Sequence, residues 1–375
     1  MDKRKKSYQR KSAFSARNKF KQMKTKYLFS LLVFLSLTFT AKSQDQNYSQ
    51  FFNNNIYYNP AFAGLYDGVR TYFNYRNQWT NLPYDFKSYN VALDMSARSL
   101  PGGGGVGLIV QNNNQGEGMI NNLYAGLVLA TRIYPNDNYA IQFGITTAVG
   151  QKKIDWNGLV FPDQLDGKHG NIYPSNFTEP YRSNVVYPDF NFGGVLNYNS
   201  DKMNARIGGS LNHIFEPNIG FIDNESKLKM KFVAHADAVI YVGSSSTNKG
   251  RRGSDQGGKL NPGFLYENQY GANTFSLGIS GYKSNIYLGL WLRNEDISDV
   301  NLSSMIFLTG VNLPVSDDSR VKIMYSYDYI MNELLGTGGT HEISVMFEFS
   351  NQNIFGATSG KGGRKNYGTE PCSVF

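Results

Sequence analysis

The sequence predicts an all-β protein, a transmembrane outer-membrane β-barrel of about fourteen antiparallel strands. Three observations lead there. An apolar export signal precedes the mature chain; the segments after it alternate apolar and polar residues with period two; and no later run reaches the roughly 18 apolar residues of a spanning helix. In hydrocarbon every backbone polar group needs an internal partner, so a chain that crosses without helices crosses as a closed sheet. Composition agrees: 26 Tyr, 25 Phe and 39 Gly against one cysteine, Cys372. With a single thiol the chain forms no internal disulfide, and its stability has to come from the sheet.

The leader reads as a secretory signal peptide over residues 1–43. A long basic n-region is followed by the apolar run YLFSLLVFLSLTFT (Tyr27 to Thr40) and by Ala41-Lys42-Ser43, which sets small residues before Gln44 as a cleavage site requires. Met23 offers a second start that would give a leader of ordinary length. This segment holds twelve of the 37 Lys+Arg residues but one of the 29 acidic ones, Asp2, so the rest of the chain carries 25 basic and 28 acidic residues. The net charge of +8 therefore belongs to the leader and does not mark a nucleic-acid-binding surface. Beyond it we read an entry segment at 44–68, the barrel at 69–349, and a Gly-rich basic tail at 350–375 expected to be flexible.

The strands follow from alternation. In Tyr89 to Ala97, Tyr89, Val91, Leu93, Met95 and Ala97 share one face, opposite Asn90, Asp94 and Ser96. In Phe232 to Val242, Phe232, Ala234, Ala236, Ala238, Ile240 and Val242 oppose His235 and Asp237. In Val321 to Tyr329, Val321, Ile323, Tyr325, Tyr327 and Tyr329 oppose Lys322, Ser326 and Asp328. Charged residues on an inward face are costly in a dry sandwich and ordinary in the lumen of a membrane barrel. Fourteen segments read this way: 69–77, 88–97, 106–111, 123–133, 139–150, 190–198, 204–213, 231–242, 260–267, 274–281, 286–293, 305–313, 321–329 and 341–349. An even count places both chain ends on the periplasmic side, which makes the long connections 151–188 and 214–230 extracellular. At this strand number, inward side chains and the segment 44–64 folded inside could fill the lumen.

Chemical motifs are weak. PGGGGVG at 101–107 lacks the Lys-Ser/Thr ending of a phosphate loop and leads into a strand, so it reads as a turn. His169, His213, His235 and His341 show no metal-ligand spacing. Glu342, Glu348, Asp328 and Lys322 read as cross-strand pairs in the lumen rather than as a catalytic set. No nucleophile motif is present, and the sequence implies no enzyme activity, no cofactor and no metal. In the loop at 151–188, Trp156, Phe161, Tyr173, Phe177 and Tyr181 are aromatic residues of the kind that anchor interfaces, and we take them as candidate partner-binding residues.

One stretch is more specific. Tyr58-Asn59-Pro60-Ala61-Phe62-Ala63-Gly64 combines a turn-initiating Asn-Pro with a glycine able to take positive φ. Preceded by QDQNYSQFF from Gln44 and followed by Tyr75-Arg76-Asn77-Gln78-Trp79, it resembles the PorP/SprF family of type IX secretion system membrane proteins of the Bacteroidota. The residues that carry the resemblance are Asn59, Pro60, Ala61, Gly64, Arg76, Gln78 and Trp79. GVGLIV (Gly105 to Val110), NPGFL (Asn261 to Leu265) and HEISVMFEF (His341 to Phe349) follow in the family's order. The resemblance implies an outer-membrane barrel of the secretion and gliding machinery. Its partners would be a secreted, adhesin-like substrate protein with a C-terminal sorting domain, other type IX secretion components and the lipid of the outer membrane. The rival expectation is a passive porin or a FadL-like transporter of hydrophobic solutes.

Overall fold

Alternation resolves into fourteen long strands that close on themselves. The computed structural model describes residues 45–66, 68–84, 86–97, 103–116, 119–178, 182–222, 226–243, 257–295, 302–316 and 319–349. The expected leader, the expected tail and Tyr181 lie outside the described residues. The barrel strands are β1 (Val69–Gln78), β2 (Phe86–Ser96), β3 (Gly105–Gln115), β4 (Ile120–Ile133), β5 (Tyr139–Ile154), β8 (Asn184–Asn199), β9 (Met203–Asn212), β10 (Lys231–Val242), β11 (Gly258–Gln269), β12 (Ala272–Lys283), β13 (Ile286–Asn294), β14 (Ser304–Ser316), β15 (Ser319–Ile330) and β16 (Thr340–Phe349). Each pairs antiparallel with its neighbours in sequence, β5 with β8 across the longest connection, and β16 returns to β1 from Val69↔Phe349 to Gln78↔Thr340. Two two-residue strands, β6 (Leu165–Asp166) and β7 (Gly170–Asn171), form a separate hairpin inside the β5–β8 connection.

The faces sort as period two demands. Along β4, Leu127 (65% exposed) and Leu129 (52%) point out, while Val128 (1%) points in. Around the circuit the outward positions hold Phe73, Ile145, Val186, Ile207, Leu277, Leu288, Phe307 and Ile343, an apolar band suited to hydrocarbon. Inside lie Arg70, Arg76, Asp94, Arg132, Asp189, Arg206, Lys231, Glu267, Arg293, Lys322, Asp328, Glu342 and Glu348. The inner face is not uniformly polar, because Val195, Val233, Leu265, Trp291, Ile306 and Met346 are buried there as well.

The two rims differ. Chain ends enter and leave at one, called here the terminal rim, where tight connections such as 200–202 and 284–285 turn the strands. Ser284 (φ 50°) and Asn285 (φ 71°) form the paired positive-φ turn that matches strand twist. The opposite, loop rim carries the connections 79–85, 155–183, 213–230, 295–303 and 331–339.

Strand limits moved where composition misleads. The Asn-rich end of β3 extends to Gln115, and Asn121 Nδ2 donates to Asn112 Oδ1 at 2.7 Å across the β3–β4 pair; a run of asparagines reads as a loop only until a partner strand supplies its hydrogen bonds. Likewise β8 begins at Asn184, with Pro188 inside it opposite Val149. Pairing of β8 with β9 begins only at Phe192↔Leu211. Pro188 thus sits where β8 has a neighbour on one side only, which a residue without N–H tolerates. The long connection is 155–183, shorter than the expected 151–188.

Leu127 lies at the centre of β4 and is the most exposed of its leucines. Leu127→Arg is expected to cost about 2–4 kcal/mol of folding free energy in lipid, read by denaturant titration in vesicles, whereas the same change at exposed Leu165, in the loop, leaves the midpoint within error.

Candidate functional site

The lumen is occupied by the chain's own residues 45–66. The segment runs from Asp45 at the loop rim to Tyr66 at the terminal rim, where it joins β1. It contains one helical turn, α1 (Asn55–Tyr58), and a 3₁₀ turn at Pro60–Phe62. Tyr48, Ser49, Gln50, Asn59, Ala61 and Ala63 are all 0% exposed, so the segment is a plug packed on every side.

Near the loop rim the plug is held by charge. The backbone N–H groups of Ser49 and Gln50 donate to the two carboxylate oxygens of Glu342 at 2.8 and 3.1 Å. Arg76 Nη1 donates to the same carboxylate at 3.1 Å and to Ser49 Oγ at 2.6 Å, and Ser49 Oγ donates to Asp328 Oδ2 at 2.6 Å. Arg293 lies 3.4 Å from Asp328 and donates through Nη2 to the Tyr48 carbonyl at 2.8 Å. Two guanidinium groups and two carboxylates from β1, β13, β15 and β16 therefore balance one another around three plug residues. Buried charges persist only when paired and hydrogen-bonded in this way. Aromatic packing continues the grip: Phe51 meets Trp291 edge-on at 4.7 Å and Phe52 stacks on it at 5.7 Å.

The heptad Tyr58 to Gly64 forms the seat in the middle and lower lumen. Asn59 Oδ1 accepts the Ala61 N–H at 2.9 Å and caps the 3₁₀ turn that Pro60 starts. Its Nδ2 donates to the carbonyls of Gly194 and Gly209, both at 3.1 Å, and lies 3.0 Å from His235 Nε2. The wall makes room with glycine: a Cβ on Gly193 would stand 2.1 Å from Asn59 Oδ1, and one on Gly144 2.4 Å from the Pro60 backbone. Gly64 turns with φ 63°, and a side chain there would strike the Gly105 Cα at 2.4 Å. The carbonyls of Ala63 and Gly64 accept from Gln142 Nε2 and Arg132 Nη2, each at 2.7 Å, and the Gly64 N–H donates to Asp94 Oδ2 at 3.0 Å.

The other motif residues sit at the loop end of β1. Arg76 belongs to the charge network, and Gln78 Oε1 accepts from Gln46 Nε2 at 3.4 Å. Trp79, at φ 62°, leaves the strand with its N–H on the Gly339 carbonyl at 2.7 Å and its ring edge-on to Phe86 at 4.8 Å. Lys322, by contrast, pairs with Glu348 at 3.1 Å across β15–β16.

The plug's first described residue is clamped. His213, just past β9, lies 2.7 Å from Asp45 through Nε2 and 2.9 Å from Asp189 through Nδ1, while its own N–H donates to Asn191 Oδ1. Burial favours the neutral ring, but the carboxylates of Asp45 and Asp189 outweigh it and raise the His213 pKa to about 10. The Asp45 N–H donates to Gln269 Oε1 at 2.7 Å.

On the loop rim, the 155–183 connection gathers three of its candidate aromatics. Phe161 stacks on Phe177 at 4.2 Å, and Trp156 lies 5.4 Å from Phe177. Phe221, from the 213–230 connection, adds an edge contact to Trp156 at 6.2 Å; contact between two loops leaves no local signal in the sequence. Tyr173 stands apart, half exposed, with its hydroxyl 3.2 Å from Asp166. Phe215 (72% exposed), Ile222 (80%), Ile172 (54%) and Val160 (54%) leave this rim with uncovered apolar surface.

The family model described as type IX secretion system membrane protein PorP/SprF matches residues 40–347. No curated protein sequence matches the chain. Among solved structures, it is similar to the Ralstonia pickettii toluene transporter TbuX at 10% identity, covering 83% of this chain and 95% of that one with a TM-score of 0.43. A Pseudomonas aeruginosa FadL homologue shows 10% identity, 78% and 93% coverage and a TM-score of 0.41.

Asn59→Ala removes the cap and both wall bonds. It is expected to loosen the plug by about 2–3 kcal/mol, seen as faster hydrogen exchange over 45–64 with the wall strands unchanged. Gly144→Val, which forces a backbone contact, should expel the segment further. A raised folded-state pKa makes the His213 clamp fully effective below its ordinary value of 6.5 and weakens it as pH rises toward about 10. A spin label at Asn47→Cys, with Cys372→Ser, should therefore gain mobility between those values, and the His213→Gln variant should show no such change.

Proposed function

The chain belongs to the PorP/SprF family of type IX secretion system membrane proteins, and from that premise we propose that it is a non-enzymatic anchor for a secreted protein at the cell surface. In this reading the leader at 1–43 exports the chain, the barrel inserts in the outer membrane with its loop rim outward, and the 155–183 and 213–230 connections receive the C-terminal sorting domain of an adhesin-like substrate. Other type IX secretion components deliver that substrate.

The observation that carries the proposal is the division of labour between lumen and rim. The lumen's charged groups are taken up by the plug or by ion pairs with one another, while the loop rim exposes large apolar side chains. Contiguous exposed apolar surface outside the lipid band marks a place for a protein partner, and Trp, Tyr and Phe dominate the energetics of such contacts. Trp156, Phe161 and Phe177, already packed together, form a rigid platform that loses little freedom on binding. Tyr173, exposed on the same connection, is a further candidate contact; the candidate Tyr181 lies outside the described residues.

The rival reading, passage of solutes through the lumen, requires the plug to leave or shift. Support for anchoring over transport comes from the number of charged and backbone contacts that would have to break first.

Affinity purification from native membranes should recover one large secreted protein. The double variant Trp156→Ala with Phe177→Ala is expected to reduce its recovery and surface display at least tenfold, about 1.4 kcal/mol or more, with barrel levels in the membrane unchanged. Undiminished display in that variant would sink the assignment. In planar bilayers the purified barrel should give no steady conductance, and open-channel currents from the native protein would favour transport.

A further inference from the structure

The outer wall carries an apolar depression that neither the plug nor the loop rim explains. On the membrane-facing side of β8–β12 a cavity of about 470 Å³ opens outward, within the 300–1,000 Å³ range of small-molecule sites. Its floor is made of small or ring side chains, Ala205, Ala236, Ala238 and Pro262. Its flanks are larger outward groups, including Leu196, Ile207 and Leu277, which are 38%, 57% and 52% exposed. The outward band elsewhere holds small side chains such as Ala125, Thr147 and Thr309 among its large apolar ones, but here four small or ring side chains from three adjacent strands meet in one gap. The β10–β11 pairing also lapses beneath it: the ladder runs to Asp237↔Gly263 and resumes in the same register at Ile240↔Leu260. Pro262, opposite Ala238, has no N–H to give.

The position of the gap selects its occupant. Ala238 lies near the end of β10, Ala205 near the start of β9 and Pro262 near the start of β11, so the depression climbs from the terminal rim into the hydrocarbon. At that rim the β8–β9 turn presents exposed Asp201 and Lys202, and the Lys202 carbonyl accepts the Tyr241 N–H at 3.1 Å, which fixes the turn against the end of β10. We propose that this groove binds one phospholipid of the periplasmic leaflet, with an acyl chain over Ala205, Ala236, Ala238 and Pro262. Lys202 meets the phosphate, and Asp201 meets the ammonium of a zwitterionic headgroup. A basic residue at the membrane surface is drawn to lipid phosphate, and filling the groove with methylenes restores the contacts that the missing side chains leave out.

The test is native mass spectrometry of the full chain, purified in mild detergent and supplied with phosphatidylethanolamine. The wild type is expected to retain one such lipid per barrel. Ala236→Leu with Ala238→Leu fills the floor and should lower the retained fraction at least fivefold, and Lys202→Glu should lower it while leaving the apolar groove intact. Ala234→Leu, outward on the same strand but outside the groove, should retain lipid as the wild type does; heat-modifiable mobility on gels verifies that each variant is folded. Equal retention in the wild type and the Ala236/Ala238 variant, equal loss in Ala234→Leu, or preferential retention of lipid A would each overturn the proposal.

Discussion

One carboxylate, Glu342, organises the lumen. It receives two successive backbone N–H groups of the plug, a guanidinium from β1 and the Asn74 side-chain amide at 2.9 Å. A buried carboxylate with fewer donors would carry a desolvation cost of several kcal/mol, and Arg76 without it would keep only the longer contact to Asp328 at 3.6 Å. Glu342 thus ties the plug to the β1–β16 seam. The seam is also where the circle closes. The contact that holds Ser49 and Gln50 therefore also joins the first strand to the last.

That constraint explains the character of the wall. A barrel lined only with polar groups would hold water, but here Trp291, Val233, Leu265 and Ile306 pack on Phe51 and Tyr58, and a second buried cluster forms around Phe62 and Leu65. The lumen behaves as the core of a soluble domain, with charges where the plug offers backbone groups and apolar side chains where it offers rings. Gly144 lets the plug's backbone, and Gly193 the Asn59 side chain, approach closer than any other residue would allow. In such an arrangement recognition moves outward to the rim, which has few structural duties and exposes aromatic and aliphatic surface.

Much of the fold was legible in the sequence because its signal is local. All fourteen strands follow from period-two alternation, and the inward set Lys322, Ser326 and Asp328 could be assigned from one segment. Errors came where pairing depends on a distant neighbour: the asparagines at the end of β3, and Pro188 in a part of β8 that has one neighbour only. Family motif residues were identifiable as a pattern, but not what they do. Nothing in Tyr-Asn-Pro-Ala-Phe-Ala-Gly states that Asn59 would cap its own turn while bonding two glycine carbonyls more than a hundred residues away.

The sequence by itself determined that the chain is a membrane barrel, which strand positions face outward, and that its excess positive charge lies in residues 1–43. The sequence left room for the segment 44–64 to fold inside; tertiary structure alone decided how residues 45–66 fill the lumen, that Glu342, Asp328, Arg76 and Arg293 hold them, and that Trp156 and Phe221 meet from different loops. The reason is one of range. Alternation is set by neighbours two residues apart, whereas the partners inside a closed barrel are set by register carried around the whole circuit, from Val69 to Phe349.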